Sequence, residues 1–166
     1  GYDSNTIDES SNFPVGDPLV IGNKSIKDHS PQKGSLNIKE IIVHSSNIGT
    51  AQVALAIGKE QQKNYLEKFG LFEKLLTEMP EPETGTPIIP KYWEKSATAT
   101  IGYGYGISIT PLQLCSTYAT LVNGGYSIIP TFLKMDRSQK FIKVLNDKTS
   151  LKIRDLLRAV VLETKY

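Results

Sequence analysis

Glycine and proline punctuate the middle of this sequence at short intervals, and they limit how long any helix there can be. Gly58 and Gly70 bound one segment of helical pattern, and the run Asn123-Gly124-Gly125 ends another. Between them lie four prolines in MPEPETGTPIIP and three glycines in IGYGYG. Proline removes an amide donor and glycine favours left-handed backbone, so neither readily continues a helix or a central strand. We therefore expect short helices joined by a long structured loop.

Two helix starts are marked by capping residues. Asn37 precedes Glu40 by three positions, and Thr110 precedes Gln113 by three positions with Pro111 between them. An N-cap side chain that bonds the third amide, with a Glu or Gln at that third position, is a capping box, and proline is favoured at the first helical position. We predict helices that begin directly after Asn37 and Thr110.

The chain divides into three segments by composition. Residues 1–34 are rich in Ser, Asn, Asp, Gly and Pro, which predicts irregular chain with a strand or two. Residues 35–125 form a predicted helical core, in which Ile48 to Ile57 is nearly all small or apolar and Lys59 to Phe69 is amphipathic. Residues 126–166 are expected to hold a short strand and a C-terminal helix.

The end of the sequence reads as part of something longer. Tyr126 to Leu133 has strand character, Lys134 to Asp147 is polar, and a helical pattern from about Thr149 is still running at Tyr166 without a capping glycine. The first residues have neither a basic nor an apolar signal region. We expect a fragment that begins after any signal or anchor.

Composition excludes several classes of function. The 166 residues are 39% hydrophobic and 22% charged, which is typical of a globular protein. The net charge of +2 comes from scattered basic residues, so nucleic acid is not an expected partner. Cys115 lies in an apolar helical pattern, which predicts a buried thiol and no disulfide framework. No run approaches the roughly 20 apolar residues that span a membrane.

Ser45-Ser46-Asn47, which we call the SSN triplet, lies between an apolar helical run and a run of small residues. Ser and Asn are the preferred helix caps, so a purely structural role is the simplest interpretation. A functional role requires the Ser45 hydroxyl to pass a proton and the Asn47 amide to hold a polar substrate group, with a nucleophile and a base nearby. Both interpretations are open at this point.

Other patterns are weaker candidates for chemistry. The IGYGYG glycines are spaced G-x-G-x-G rather than G-x-G-x-x-G, so they favour a tight turn and close backbone approach over nucleotide binding. The stretch Glu83 to Thr86 looks like a K-T-G-T strand with Glu in place of Lys, but it lies among prolines and lacks the cation. We interpret it as a chance similarity.

The remaining candidates are a serine with a lysine and two histidines. Ser30 and Lys33 form the one S-x-x-K of the chain, but Pro31 and the following glycine predict a turn rather than a helix. His29 and His44 have no cysteine or carboxylate at ligand spacing, so we expect no metal site and no cofactor. We expect His44 to pack at a helix end.

Four stretches occur in an order and spacing that resemble the class B penicillin-binding transpeptidases, which cross-link cell-wall peptidoglycan. They are SSNIGTAQVAL, KFGLFE, PETGTPIIP and IGYGYGISITPLQLCSTYATLVNGG. The similarity covers roughly Leu19 to Leu133, and S-x-N followed by G-x-G-x-x-x-T-P-L-Q is a specific combination. GYGYG in place of a G-Q-G form resembles the septal, division-specific branch more than the elongation branch.

The resemblance implies a fold class and a set of site residues. The fold would be a mainly α fragment, the helical subdomain plus a few short strands, of the α/β transpeptidase fold shared with serine β-lactamases. Family members carry S-x-x-K, S-x-N and K-[ST]-G. By resemblance, Ser45 would bond the lysine of S-x-x-K and relay a proton to the leaving group, and Asn47 would hold the substrate amide. The attacking serine would form an acyl-enzyme with a D-Ala-D-Ala stem peptide or a penicillin.

The departures from the family pattern limit what this chain can do alone. The family's S-x-x-K would fall before Gly1 and its K-[ST]-G beyond Tyr166, and Ser30 is too close to Ser45 to replace the nucleophile. We expect a catalytically incomplete piece that self-associates through uncovered apolar faces.

The parent would face the periplasm or outer side from a membrane anchor, with divisome partners. The alternative is a non-catalytic helical binding module that retains the SSN triplet as structure. A nucleotide-binding protein is a distant third.

Overall fold

The computed structural model of this protein describes residues 1–78, 85–134 and 141–164, and this part of the chain is mainly α-helical. Four short strands come first: β1 (Asn12–Pro14), β2 (Leu19–Ile21), β3 (Lys24–Ile26) and β4 (Ser35–Asn37). The described residues then form the helices α1 (Ile38–Val43), α2 (Asn47–Ile57), α3 (Lys59–Lys68), α4 (Lys95–Gly102), α5 (Pro111–Val122) and α6 (Asp147–Glu163).

The chain forms two compact units. Unit 1 comprises the described parts of residues 1–62, 90–106 and 155–166, and unit 2 those of residues 63–89 and 107–154. Unit 1 contains both small sheets, in which β1 pairs antiparallel with β4 and β2 pairs antiparallel with β3. Residues 1–34 were predicted to hold one or two strands. They hold three, β1, β2 and β3.

The core of unit 1 is aliphatic. Each isoleucine-sized side chain that it buries stabilises the fold by about 2 kcal/mol relative to exposure. Its buried members come from the first segments of the chain, from β3, β4, α1 and α2, and from α4: Ile7, Val15, Ile26, Leu36, Ile38, Ile41, Ile48, Ala51 and Ala99. The capping box of Asn37 and Glu40 is present as predicted, with both hydrogen bonds made. This cap fixes the point at which β4 turns into α1.

Helices α2 and α4 cross at small residues. Ala51 and Ala99 are fully buried, and a Cβ added to Gly102 would lie 2.6 Å from the Ala54 Cβ and 3.1 Å from the Thr50 carbonyl oxygen. Only glycine allows so close an approach of the two backbones. The expectation that the IGYGYG glycines permit close contact with another segment is therefore confirmed at Gly102.

Unit 2 is organised around α5. The capping box of Thr110 and Gln113 is complete, and the buried Gln113 side chain also donates from Nε2 to the Glu73 carbonyl oxygen at 2.8 Å. Ile88 and Ser108 exchange two backbone hydrogen bonds of 2.9 Å, which joins the proline-rich loop to the segment before α5. The predicted structured loop is confirmed over residues 85–90, while residues 79–84 lie outside the described part.

The end of α5 packs against the start of α6 within unit 2. The Ser150 hydroxyl accepts from the Gly124 amide at 3.0 Å and donates to the Leu121 carbonyl oxygen at 2.7 Å. The Lys143 ammonium bonds the Asp147 carboxylate at 2.9 Å, and this hydrogen bond lowers the pKa of Asp147. Helix α6 begins at Asp147, two residues before the predicted Thr149.

Two predictions in unit 2 are wrong. Cys115 is exposed rather than buried, because it lies on a side of α5 that no described segment of its unit covers. Tyr126 to Leu133 is not a strand: the one bridge in it pairs Tyr126 with Lys143, and no described neighbour pairs with the rest. High β-propensity does not make a strand where there is no partner for the backbone.

Candidate functional site

The SSN triplet lies in the turn that joins α1 to α2. The turn begins with a Schellman motif at the end of α1. The Ser46 amide donates to the Ile41 carbonyl oxygen at 3.0 Å, and the Ser45 amide donates to the Ile42 carbonyl oxygen at 3.2 Å. This motif requires left-handed backbone at the residue after the C-cap, and Ser45 has φ of +52° there. Glycine is the usual residue at that position because it carries no Cβ.

Ser46 caps the start of α2. It is only 1% exposed, and its Oγ accepts from the Gly49 amide at 2.9 Å. Its carbonyl oxygen accepts from the Thr50 amide at 3.0 Å and from the Thr50 hydroxyl at 2.7 Å. Gly49 leaves room for this packing, since an added Cβ would lie 2.6 Å from Ile41. The middle residue of the triplet therefore performs the structural capping role.

A remote carboxylate completes the cap. Asp28 accepts from the Ser46 hydroxyl through Oδ2 at 2.7 Å and from the Ile48 amide through Oδ1 at 2.9 Å. The first amides of a helix have no partner within the helix, and the helix dipole favours a negative charge beside them. Asp28 thus satisfies one such amide and places a carboxylate at the N-terminus of α2.

Asn47 is held from the same side. Its Nδ2 donates to the Lys27 carbonyl oxygen at 3.1 Å, and its side chain is partly buried. An asparagine amide has two N–H donors and one carbonyl acceptor. After the bond to Lys27, one N–H and the carbonyl oxygen still have hydrogen-bonding capacity for a polar group.

Burial divides the triplet by role. Ser46 is buried and donates its single hydroxyl proton to Asp28, whereas Ser45 is exposed. A serine hydroxyl can donate one hydrogen bond and accept two, so Ser45 can take up and pass on a proton between neighbouring groups. The arrangement presents a hydroxyl and an amide on either side of a rigidly anchored residue. Its chemical capacity is proton relay and amide recognition.

The other serine candidate has a different setting. Ser30 lies in a bend, and the Gln32 side chain donates to its carbonyl oxygen at 3.1 Å. No helix carries Ser30 and Lys33, so the spacing that would bring a lysine over a serine on one helical turn is not realised. The prediction that this S-x-x-K is not helical is confirmed, but residues 29–33 form a bend and irregular chain rather than a hydrogen-bonded turn.

His44 and the glycine cluster have backbone roles at the ends of helices. His44 is the C-cap of α1, so it lies at the helix end as expected, but it is exposed rather than packed there. Gly104 and Gly106 have φ of +87° and +106° and turn the chain after α4. Glu83 and Thr84 of the K-T-G-T-like stretch lie outside the described residues.

A cleft of about 620 Å³ in unit 1 does not include the triplet. The starts of α3 and α4 line it, together with Trp93 and Thr98. The Trp93 indole donates to Gln62 Oε1 at 3.1 Å, and Gln62 Nε2 donates to the Thr98 carbonyl oxygen at 3.0 Å. These contacts join α3 to α4 and to the loop before it. None of the residues that line the cleft belongs to the triplet.

The described residues offer neither a cluster of metal-binding side chains nor a membrane-spanning helix. Residues 1–78, 85–134 and 141–164 hold no cluster of three or more His, Cys, Asp or Glu side chains that could bind a metal ion. Within those same ranges no helix combines the length and the apolar character needed to cross a bilayer.

Sequence patterns located Ser45 and Asn47 but not Asp28. The Asp28 contacts reach 18 residues to Ser46 and 20 residues to Ile48. Local pattern carries no signal for such a pairing, because the partner of a cap side chain is determined by the fold.

Comparison with known proteins identifies the family. The sequence profile of the family described as "Penicillin binding protein transpeptidase domain" matches residues 1–165. The chain therefore belongs to the penicillin-binding protein transpeptidase domain family, as its motifs predicted.

Curated relatives and solved structures agree with this assignment. The chain is 31% identical over 163 residues to the "Probable peptidoglycan D,D-transpeptidase FtsI" of Caulobacter vibrioides, which is 97% of this chain and 27% of that protein. It is 25% identical over 158 residues to the "Probable peptidoglycan D,D-transpeptidase PenA" of Neisseria flavescens, which is 95% of this chain and 39% of that protein. The chain thus spans well under half the length of these relatives.

The fold matches solved transpeptidase structures. The transpeptidase domain of penicillin-binding protein 3 from Burkholderia pseudomallei aligns with a TM-score of 0.86 at 27% identity, over 96% of this chain and 49% of that chain. A peptidoglycan glycosyltransferase from Burkholderia ambifaria aligns with a TM-score of 0.88 at 26% identity, over 98% of this chain and 52% of that chain. The predicted fold class, a mainly α part of the penicillin-binding transpeptidase fold, is confirmed.

Proposed function

We propose that this chain is part of a peptidoglycan D,D-transpeptidase that cross-links cell-wall stem peptides through an acyl-serine intermediate. The proposal is supported by the family to which the chain belongs and by relatives that bear this activity in their names. Penicillins and other β-lactams would bind as analogues of the stem peptide. The acyl group passes from the attacking serine to an amine of a neighbouring strand.

The observation that carries the proposal is the conformation of Ser45. Ser45 is exposed and has φ of +52°, in a Schellman position where glycine is the ordinary choice. Non-glycine residues held in the left-handed region cluster at functional sites, because the strain is tolerated where the side chain is needed. The hydroxyl of Ser45 is therefore the feature that accounts for the residue being there.

Ser45 and Asn47 would divide the chemistry between them. Ser45 is proposed to relay the proton from the lysine of the S-x-x-K motif to the leaving group, and Asn47 to hold the substrate amide. The contact of Asn47 with the Lys27 carbonyl oxygen supports this role, since it orients the side chain and leaves an N–H and the carbonyl oxygen for substrate. Both side chains would act on the substrate, and the Lys27 contact also anchors Asn47 to the fold.

The nucleophile is proposed to lie outside these 166 residues. The one S-x-x-K here is a bend, so Lys33 has no helical register that would place it over Ser30. A chain with no attacking serine cannot form the acyl-enzyme, whatever its remaining groups do. We propose that the 166-residue chain is inactive by itself.

The setting of the parent protein is also a proposal. The GYGYG form and a relative named FtsI support a role in septal wall synthesis, with divisome proteins as partners. The parent would be anchored in the inner membrane with this domain on the periplasmic or extracytoplasmic face.

Labelling with a fluorescent penicillin tests the activity. In the full-length protein we expect covalent labelling that Ser45→Ala slows by a factor on the order of 10² to 10⁴, the usual worth of a positioned proton-transfer group. Ser30→Ala is the matched control and should label at the wild-type rate. The 166-residue chain should not be labelled. Absence of labelling in the full-length protein would reject the function, and labelling that Ser30→Ala abolishes would move the nucleophile to Ser30.

The same experiment distinguishes the enzyme from a non-catalytic binding module. A helical binding module that keeps the SSN triplet only as structure predicts no covalent labelling of the full-length protein. It also predicts that Ser45→Ala changes nothing that can be measured with a penicillin. The exposed, left-handed Ser45 favours the enzyme, because a structural turn alone is better served by glycine.

We also propose that the isolated chain self-associates. Leu114, Tyr118 and Val122 are 47%, 48% and 36% exposed on α5. Contiguous apolar side chains of this size favour association when no partner covers them. Sedimentation should give an average mass above 18.4 kDa that rises with concentration. A constant monomer mass at high concentration would contradict this.

A further inference from the structure

Asp28 lies at the point where a remote loop touches the SSN triplet. Its carboxylate is the acceptor for two groups of the turn, the Ser46 hydroxyl at 2.7 Å and the Ile48 amide at 2.9 Å. The next residue back, Lys27, accepts from the Asn47 side chain through its carbonyl oxygen at 3.1 Å. Two consecutive residues therefore accept three hydrogen bonds, two from the triplet and one from Ile48 directly after it.

We propose that Asp28 is a positioning residue of the Ser45 and Asn47 site. The inference rests on the proposed function, because it concerns the placement of the groups that act there. Asp28 does not touch a substrate. It acts through Ser46 and Ile48, which lie directly beside Ser45 and Asn47 in the chain.

The donor and acceptor inventory explains why a carboxylate is needed. An ionised carboxylate only accepts hydrogen bonds, so the single proton of the Ser46 hydroxyl must point toward Asp28. A lone pair of the Ser46 hydroxyl oxygen then points toward the Gly49 amide, which donates to it at 2.9 Å. An amide in place of the carboxylate has one acceptor oxygen, so it cannot accept from both Ser46 and Ile48 with separate oxygens.

Burial makes this choice consequential. Ser46 and Ile48 are 1% and 4% exposed, so water does not readily replace a lost partner there. When Asp28 no longer accepts from both, the start of α2 has to shift or leave a polar group unpaired. Ser45, with its left-handed backbone, lies immediately before Ser46, and the amides of both residues bond the end of α1. The position of Ser45 therefore depends on how firmly Ser46 is anchored.

The orientation of Asn47 depends on the same segment. The Lys27 carbonyl oxygen belongs to the peptide unit just before Asp28, so a displaced Asp28 carries that acceptor with it. Misplacing a catalytic group by about 1 Å can lower a rate by up to a hundredfold. Loss of the Asp28 carboxylate should accordingly reduce the rate of acylation without removing any group that contacts substrate.

The test is penicillin acylation of the full-length protein carrying Asp28→Asn. We expect the acylation rate constant to fall about ten- to a hundredfold, while the amount of label at saturation is unchanged. A merely structural role would lower the saturating amount, because part of the protein would be unfolded, and would leave the rate constant of the folded part unaltered. Asp17→Asn is the matched control: it makes the same charge change at an exposed aspartate in the same unit and should label as wild type.

A double-mutant cycle separates this inference from the proposed function. If Asp28 acts through Ser46, Asp28→Asn combined with Ser46→Ala should be no slower than the slower single variant. A wild-type rate in Asp28→Asn, with Ser45→Ala slowed, would overturn the positioning role and leave the proposed function standing. A wild-type rate in Ser45→Ala would overturn the proposed function itself.

Hydrogen exchange on the full-length protein gives an independent readout. The Ile48 amide should exchange faster in Asp28→Asn than in wild type, whereas the Thr50 amide, which bonds the Ser46 carbonyl oxygen, should change less. Unchanged exchange at Ile48 would contradict the contact on which the inference depends. Equal acceleration at both amides would indicate general destabilisation and would also count against it.

Discussion

Two helices of this chain end in the same hydrogen-bond pattern but with different residues at the position that takes left-handed backbone. After α3, Gly70 has φ of +70°, and the amides of Gly70 and Leu71 bond the carbonyl oxygens of Glu67 and Leu66. After α1, Ser45 has φ of +52° in the corresponding pattern. Both residues are exposed. The backbone requirement is the same at the two ends, and only one of them meets it with glycine.

The difference separates what folding needs from what chemistry needs. Left-handed backbone costs an L-residue roughly 1 kcal/mol or more because of its Cβ, and glycine avoids this cost. Gly70 therefore reflects folding alone. Ser45 adopts left-handed backbone despite this cost, and its side chain places an exposed hydroxyl beside Asn47. The end of α1 is anchored by the Ser46 cap and by Asp28, which together stabilise a turn that includes a strained residue.

The largest expected effect is on the reaction. Ser45→Ala keeps a Cβ and the same backbone cost, and it removes only the hydroxyl. The acylation rate of the full-length protein should fall by about 10² to 10⁴, as argued for a proton relay, while the urea midpoint of the chain should move little. A large loss of stability with an unchanged acylation rate would show that Ser45 is a structural residue like Gly70.

Replacing Ser46, the buried neighbour of Ser45, should lower stability as well as slow acylation. Ser46→Ala removes the N-cap of α2 and leaves Asp28 without its hydroxyl partner. We expect a loss of about 1 to 2 kcal/mol in the free energy of unfolding, from the cap and the unpaired groups. Urea denaturation of the chain measures it, with Ser25→Ala on the exposed side of β3 as the control. A loss below that of the control would mean that α2 does not depend on this cap.

Making the two helix ends alike gives a smaller effect. Gly70→Ser places at the end of α3 the residue found at the end of α1. We expect the free energy of unfolding to fall by about 1 kcal/mol, because the added Cβ meets left-handed backbone while no neighbour obstructs it. The exposed Gly22 of the β2–β3 hairpin, with φ of +60°, offers a parallel substitution. No change in either variant would contradict the cost assigned to Ser45.

Sequence reasoning was accurate where the physical signal is local. Asn37 with Glu40, and Thr110 with Gln113, identify their helix starts because the capping partners are three residues apart. The helix junction at the SSN triplet was also predictable, as was the close approach at Gly102. Each of these signals depends on a few neighbouring residues and on backbone geometry alone.

Prediction failed where the outcome depends on distant partners. Asp28 meets Ser46 across 18 residues, so its role was missed. Cys115 was expected to be buried because its helix is apolar, but burial depends on which segments cover that side of α5. Tyr126 to Leu133 was predicted to be a strand because of its β-propensity, but only Tyr126 forms a bridge. A strand needs a partner along its whole length. The left-handed backbone of Ser45 also follows from how α1 ends rather than from serine itself.

The most direct test of the Ser45 comparison is the substitution Ser45→Gly, with stability and acylation measured on the same variant. If Ser45 is retained for chemistry against the preference of the backbone, Ser45→Gly should raise the free energy of unfolding by about 0.5 to 1 kcal/mol, since strain at the left-handed position is relieved. The acylation rate of the full-length protein should fall as far as in Ser45→Ala. A variant that is less stable than wild type, or one that acylates at the wild-type rate, would contradict this conclusion.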